Sequence, residues 1–355
     1  MSSSEFEEWK ALVGDPSSDT EVKKVMDDHW MALSEDQLLT LPNAKAEAIF
    51  SRTVKTGKQR IGYWKWIAGA AAMVLIAGSV IFMNAGDDRK SVMAGKAMAT
   101  LTLKNGRTVV LDENKKGLVI DASKLTYDDG TSISADLETA VGDNKRTMLS
   151  VQTPRGGTYE VILRDGTHVW LNADSKLEFP DEFAASERQV KLSGEGYFEV
   201  AHDKNAPFKV ISRTQEIAVL GTHFNLDAYE DEKIVRTTLL EGSVKVSNKS
   251  GEKFLRPGYQ AANDGNQLTV AKTDVKTAVA WKNKQFLFER ENIKAIMKKV
   301  ERWYDVEVVY TGKISEETFS GGVSRFDNLS EILHSLESTG NVSFKVKDRT
   351  VYVSM

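Results

Sequence analysis

Three stretches of this sequence set polar side chains beside glycines in arrangements that could do chemistry. Gly194-Glu195-Gly196-Tyr197-Phe198-Glu199 holds two carboxylates in a strand-like run. A carboxylate pair is the equipment of glycoside hydrolysis. Glu195 and Glu199 share a strand face if no bulge intervenes, and carboxylates in such a strand are expected to face solvent. Gly221-Thr222-His223-Phe224-Asn225 offers a histidine at a strand end. The other histidines are His29, His168, His202 and His334, and no two stand at the H-x-x-x-H spacing of a metal site. His223 is therefore expected to be structural. Thr153-Pro154-Arg155-Gly156-Gly157 begins like a phosphate-binding loop but lacks the Gly-Lys-Ser/Thr completion, so it reads as a turn. There is no G-x-S-x-G nucleophile elbow. There is no cysteine, which excludes disulfides and thiolate metal sites. The expectation is a non-enzyme with no catalytic, metal-binding or cofactor-binding residue and no cofactor.

A β-rich frame has to position these motifs. From residue 91 to about 270, turn signals such as Asn105-Gly106, Asp129-Gly130, Asp165-Gly166, Glu241-Gly242 and Pro257-Gly258 separate alternating runs. Val190 and Leu192, Phe208 and Val210, Phe224 and Leu226, and Val244 and Val246 alternate with polar neighbours, which predicts one buried and one wet face. Residues 104–112 resemble residues 164–172, a weak repeat that stacked hairpins or solenoid-like coils would both give. From about residue 283 the pattern changes to β-α-β-β-α-β-β. Ile293, Ile296, Met297, Val300 and Trp303 line one helix, and Leu329, Ile332, Leu333 and Leu336 line another behind an Asn328/Glu331 cap.

The front of the chain differs in kind. Residues 1–62 read as short amphipathic helices, with capping boxes at Ser4/Glu7 and Ser34/Gln37. Residues 1–50 carry four lysines against eleven carboxylates, a net −7. About 60 residues make a small core, so a basic partner could supply both burial and charge complementarity. Trp66 to Gly86 then holds no charged residue, and about 20 apolar residues span roughly 30 Å of hydrocarbon. Arg52, Lys55, Lys58, Arg60 and Lys65 precede the stretch, which predicts a single-pass helix with the N-terminus cytoplasmic. Tyr63, Trp64, Lys65 and Trp66 suit the membrane interface. The net charge of −4 over 355 residues does not suggest nucleic acid as a partner.

The motifs from Thr153 to Ala262 resemble, in order, the periplasmic domain of FecR-type anti-sigma regulators. They are TPRGG (153–157), LRDGTHVWLN (163–172), LEFP (177–180), VKLSGEGYFEV (190–200), PFKV (207–210), VLGTHFN (219–225) and LEGSV (240–244). Gly196 stands where that family more often has alanine. The final module, from about Asn283, is similar to the C-terminal domain of Bacteroidetes-type members and to the small signalling domain of TonB-dependent outer-membrane transducers.

The resemblance implies an inner-membrane anti-sigma regulator. The cytoplasmic helices would restrain an extracytoplasmic-function sigma factor, and the periplasmic part would engage the signalling domain of a TonB-dependent transducer. Periplasmic and intramembrane proteases would release the cytoplasmic piece. Trp9, Leu12, Val22, Val25, Met26 and Trp30 are the expected sigma-factor contacts. The expected architecture is a multi-domain membrane protein: a small all-α head (1–62), one transmembrane helix (66–86), an all-β periplasmic domain that is a sandwich or solenoid-like (87–275), and a C-terminal α+β module (283–355). The alternative is a membrane-tethered periplasmic glycan- or peptide-binding scaffold with no transcriptional role.

Overall fold

Three Asx-Gly turns with one hydrogen-bond pattern show how local chemistry builds the frame. In the computed structural model, which describes residues 92–355 except 104, 116, 121–123, 134–147 and 340, Asn105, Asp129 and Asp165 each accept from the backbone N–H two residues on, at 2.9, 3.0 and 3.1 Å. The following Gly106, Gly130 and Gly166 sit at φ +76°, +81° and +81°, where glycine carries no Cβ penalty. Gly106 N donates to Leu103 O and Gly166 N to Leu163 O, both at 2.9 Å. The repeat seen in the sequence is thus one hairpin turn used twice, which favours the stacked-hairpin reading.

The strands form two ladders. One runs, in spatial order, through Thr108–Val110, Thr100–Thr102, Met148–Thr153, Ser175–Pro180, Arg188–Ser193, Phe208–Ile211, Glu216–Val219, Val244–Asn248 and Gly251–Leu255. The other runs through Leu125–Tyr127, Gly117–Ile120, Gly157–Ile162, His168–Leu171, Gly194–Glu199, His223–Ala228, Val235–Glu241, Tyr259–Asn263 and Leu268–Lys272. The long strand Arg188–Glu199 belongs to both and changes ladder at Gly194. Gly194 has φ +88°, and a Cβ there would lie 2.7 Å from Asp174 O, so only glycine fits the crossing.

Side chains from both ladders meet in one core that includes Leu101, Val151, Leu177, Phe208, Val161, Phe198, Phe224 and Leu239. Phe198 stacks on Phe224 at 4.9 Å, and Phe208 meets Phe198 edge-on at 6.4 Å across the layers. The expected mainly-β character of the rear segment holds. The alternation predicted for Val190/Leu192, Phe208/Val210, Phe224/Leu226 and Val244/Val246 places all eight in that core.

Three helices follow: α1 (Val275–Val279), α2 (Ile293–Tyr304) and α3 (Leu329–Thr339). Asn292 caps α2 by accepting from Ala295 N, and Asp305 ends it in the left-handed region at φ 50°. Asn328 and Glu331 form the reciprocal cap expected for α3. The predicted apolar faces of both helices are buried in a second core, closed by the parallel pair Glu307–Thr311/Thr350–Ser354 and the antiparallel Ser343–Lys347. Among the described residues no helix is long and apolar enough to cross a membrane. The stretch 66–86 lies outside the described residues, as do Trp9, Leu12, Val22, Val25, Met26, Trp30, Tyr63, Trp64, Lys65 and Trp66.

Candidate interdomain joint

In the half-strand Gly194–Glu199, Phe198 points into the core, so period-2 alternation puts Glu195, Tyr197 and Glu199 on the opposite face. No register shift interrupts this half-strand, and the two carboxylates share a face as the sequence suggested. That face is only partly open to water, which corrects the solvent-facing expectation: residues of the C-terminal module and of the connection before it lie over Glu195, and Glu199 keeps 33% of its side chain exposed.

Glu195 is held from both neighbouring strands. Its Oε2 accepts from Asn172 Nδ2 at 2.7 Å and its Oε1 from Asn225 Nδ2 at 2.9 Å. Spending their N–H groups on Glu195 turns the two amide oxygens toward the module. Asn172 Oδ1 accepts from Arg325 Nη2 at 3.1 Å, and Asn225 Oδ1 from Trp281 Nε1 at 3.1 Å. Arg325 Nη1 donates to Trp281 O at 3.1 Å, closing a loop of five residues. The Arg325 guanidinium stacks 3.8 Å from the Trp303 ring, and Trp303 Nε1 donates back to Arg325 O at 2.9 Å. Burial raises the Glu195 carboxyl above its usual range and lowers Arg325 to about 10.

Glu199 accepts from Lys282 Nζ at 2.9 Å, and that ammonium rests 3.8 Å from Trp170 and 4.2 Å from Tyr197. Both carboxylates are committed to structural partners, which argues against a glycosidase pair. His223 lies 3.3 Å from Glu241 at the surface. Among the described residues no group of three or more His, Asp or Glu side chains is placed to hold a metal ion.

Two further contacts fasten α2 to the β-domain. Arg302 donates to Asp231 Oδ1 at 2.6 Å and Glu232 Oε1 at 2.9 Å, and lies 3.7 Å from the Tyr229 ring. Burial alone would lower the Arg302 pKa; Tyr229, Glu232 and Asp231 outweigh it and hold the guanidinium above its usual value. The Thr153–Gly157 turn caps the other end of the contact. Gly156 N donates to Arg302 O at 2.7 Å, and Arg155 Nη1 to Val306 O at 3.5 Å. The glycine pair that began like a phosphate loop is a turn, and it satisfies a carbonyl at the C-terminus of α2. Arg302→Ala should cost about 2 kcal/mol, at the low end for a buried charged partner because Asp231 is half-exposed. Thermal unfolding checks this, and Arg302→Lys should recover only part of the loss because a point charge cannot engage both carboxylates.

A cavity of ≈ 340 Å³ opens beside this network, lined among others by Asp227, Glu232, Arg236, Trp281, Phe286 and Lys299. Asp227 is the cross-strand neighbour of Glu195. Burial first, then the negative charges of Glu195 and Glu232, push its carboxyl up to about 8. Its Oδ1 is buried and has no hydrogen-bond partner.

The description FecR protein matches residues 149–245, and FecR, C-terminal matches residues 285–353. The chain carries both FecR stretches. Asn172, Glu195 and Asn225 fall in the first FecR stretch, Arg302 and Arg325 in the second, and Trp281 and Lys282 between them. Two crystal structures from Parabacteroides distasonis ATCC 8503, each of a candidate anti-sigma factor, are similar to this chain. One is 25% identical with a TM-score of 0.55, covering 57% of this chain and 97% of its own. The other is 24% identical with a TM-score of 0.55, covering 58% and 98%, and speaks to the fold alone. No curated protein matches the chain.

Proposed function

We propose that this chain is an anti-sigma regulator that works by protein–protein binding and carries a signal across the inner membrane. The observation that carries the reading is the pair of FecR matches, supported by the likeness to the Parabacteroides structure. The apolar stretch 66–86, with basic residues before it, supports an N-terminus in the cytoplasm and residues 87–355 in the periplasm. In this reading the acidic segment 1–62 binds an extracytoplasmic-function sigma factor. The C-terminal module receives the signalling domain of a TonB-dependent transducer, and proteolysis releases the cytoplasmic piece. The polar joint suits that role: its contacts are directional and break together, so a partner acting on the module is felt by the β-domain.

Co-purification of residues 1–62 with the cognate sigma factor is the direct test. A complex is expected, and Trp9→Ala or Trp30→Ala should weaken it about tenfold, as for apolar anchors at an interface. No complex with both partners folded overturns the reading. Deleting residues 1–50 separates it from the periplasmic scaffold alternative, under which transcription by that sigma factor stays the same.

A further inference from the structure

The residues that follow the apolar stretch do not run straight into the β-domain. They are threaded first through the C-terminal module. Val92 is buried in that module's core, and Ala94 packs against it, while Met93 between them is 75% exposed. Val92 O accepts from Leu329 N, the first residue of α3, at 3.1 Å. Gly95 is wedged between the domains: a Cβ there would meet Gly156 O at 2.5 Å and the Trp303 ring at 2.7 Å. Lys96 N then donates to Gly156 O at 2.8 Å and Met98 N to Thr158 O at 3.2 Å, in a two-residue parallel pairing with the β-domain. The Lys96 ammonium pairs with Glu113 at the surface.

We propose that residues 92–97 are a releasable strap, fastened by the interdomain joint, and that opening the joint exposes this segment to a protease. The inference rests on the membrane orientation proposed above, which makes the strap the membrane-proximal part of the periplasmic region. Its hold is short, with one fully inserted side chain, one glycine that no other residue can replace, and a pairing of two residues. Each of these touches α2, α3 or the Thr153–Gly157 turn, so a movement of α2 against the turn removes several at once. Cleavage needs an extended segment free to leave the surface, and the fastened strap is held at both ends, by Val92 in the module's core and by the pairing of Lys96 and Ala97, with Met93 exposed between them. A partner docking on the C-terminal module can therefore control cutting at a place it does not touch.

The test uses the full chain in lipid nanodiscs, with trypsin cleavage after Lys96 timed by mass spectrometry. Hydrogen exchange at α2 and at Thr350–Ser354 reports whether the module stays folded. Val92→Asp and Gly95→Val should each speed that cut tenfold or more, with the module's exchange unchanged. Arg302→Ala, which opens the joint without touching the strap, should also speed it severalfold. The strap is overturned if Val92→Asp gives a smaller increase, or if both strap variants lose protection across the module together with residues 92–98. Its link to the joint is overturned if Arg302→Ala is cut as slowly as the unaltered chain. None of these readouts involves the sigma factor, so failure of the anti-sigma reading, seen in co-purification, is distinct.

Discussion

Arg325→Ala should cost about 3 kcal/mol and divide a single thermal transition into two. The guanidinium donates to Asn172 Oδ1 and Trp281 O and fills the space above Trp303. Truncation leaves two buried acceptors without donors, at about 1–3 kcal/mol each, and opens a void beside a large ring. The effect spreads because Asn172 is shared. With no donor on its oxygen, nothing outside the β-domain fixes the amide that orients Glu195. The unaltered arrangement is itself costly: Arg325 Nε is buried without a partner, and burial pulls the group down to about 10. Arg325→Met, which keeps the volume and removes the buried charge, should therefore be less destabilising than alanine yet equally unable to couple the domains. Calorimetry of the full chain in nanodiscs, with hydrogen exchange followed separately over 149–245 and 285–353, separates the two effects. A single transition with both regions losing protection together in Arg325→Ala would show that Arg325 does not couple them.

Why this arginine escapes a reading of the sequence has a physical answer. The Asx-Gly hairpins, the Asn328 cap and the apolar faces of α2 and α3 are legible because each is set by residues within about one turn of one another. Alternation in Gly194–Glu199 correctly puts Glu195 and Glu199 on one face. It gives the side of the strand but not what lies over it, and polar residues opposite a core read as wet. The covering residue, Arg325, is 153 positions from Asn172. Lys282 and Trp281 sit in a short connection where no periodicity marks them, and α1, with five residues, is too brief to show any. The first strand of the C-terminal module, Gln285–Asn292, runs right up to the cap of α2 because a bulge between Phe288 and Glu291, with Arg290 at φ 50°, lets it bend without ending. The motifs that matched FecR held Asn172, Glu195 and Asn225 all along, but their common purpose needs the fold.

Asp227→Asn should raise stability at pH 8 by on the order of 3 kcal/mol and leave it nearly unchanged at pH 4. Asp227 and Glu195 are cross-strand neighbours in a region where both carboxyls are raised by burial. The proton belongs on Asp227. Glu195 has two amide donors to support a negative charge, whereas Asp227 Oδ1 has none and Arg236 stands 3.9 Å from its other oxygen while also serving Glu232. The folded carboxyl titrates at about 8 against an ordinary value of 3.8. Between those two values the unfolded chain has released the proton and the folded chain keeps it. The folded state then binds more protons, so stability falls as pH rises through this window. Asparagine fixes the neutral form and removes the contribution of Asp227 to that slope. The full shift would give a larger figure, but the side chain is 21% exposed and shares its charge balance with Glu195, which reduces the effect. Denaturant unfolding at pH 4, 6 and 8 measures the slope directly. A variant as pH-dependent as the unaltered chain would place the proton elsewhere. If the slope does vanish, the joint between the FecR stretches is tightest in mildly acidic conditions, because the group that loosens it on ionising lies beside Glu195, whose two amides bind Arg325 and Trp281.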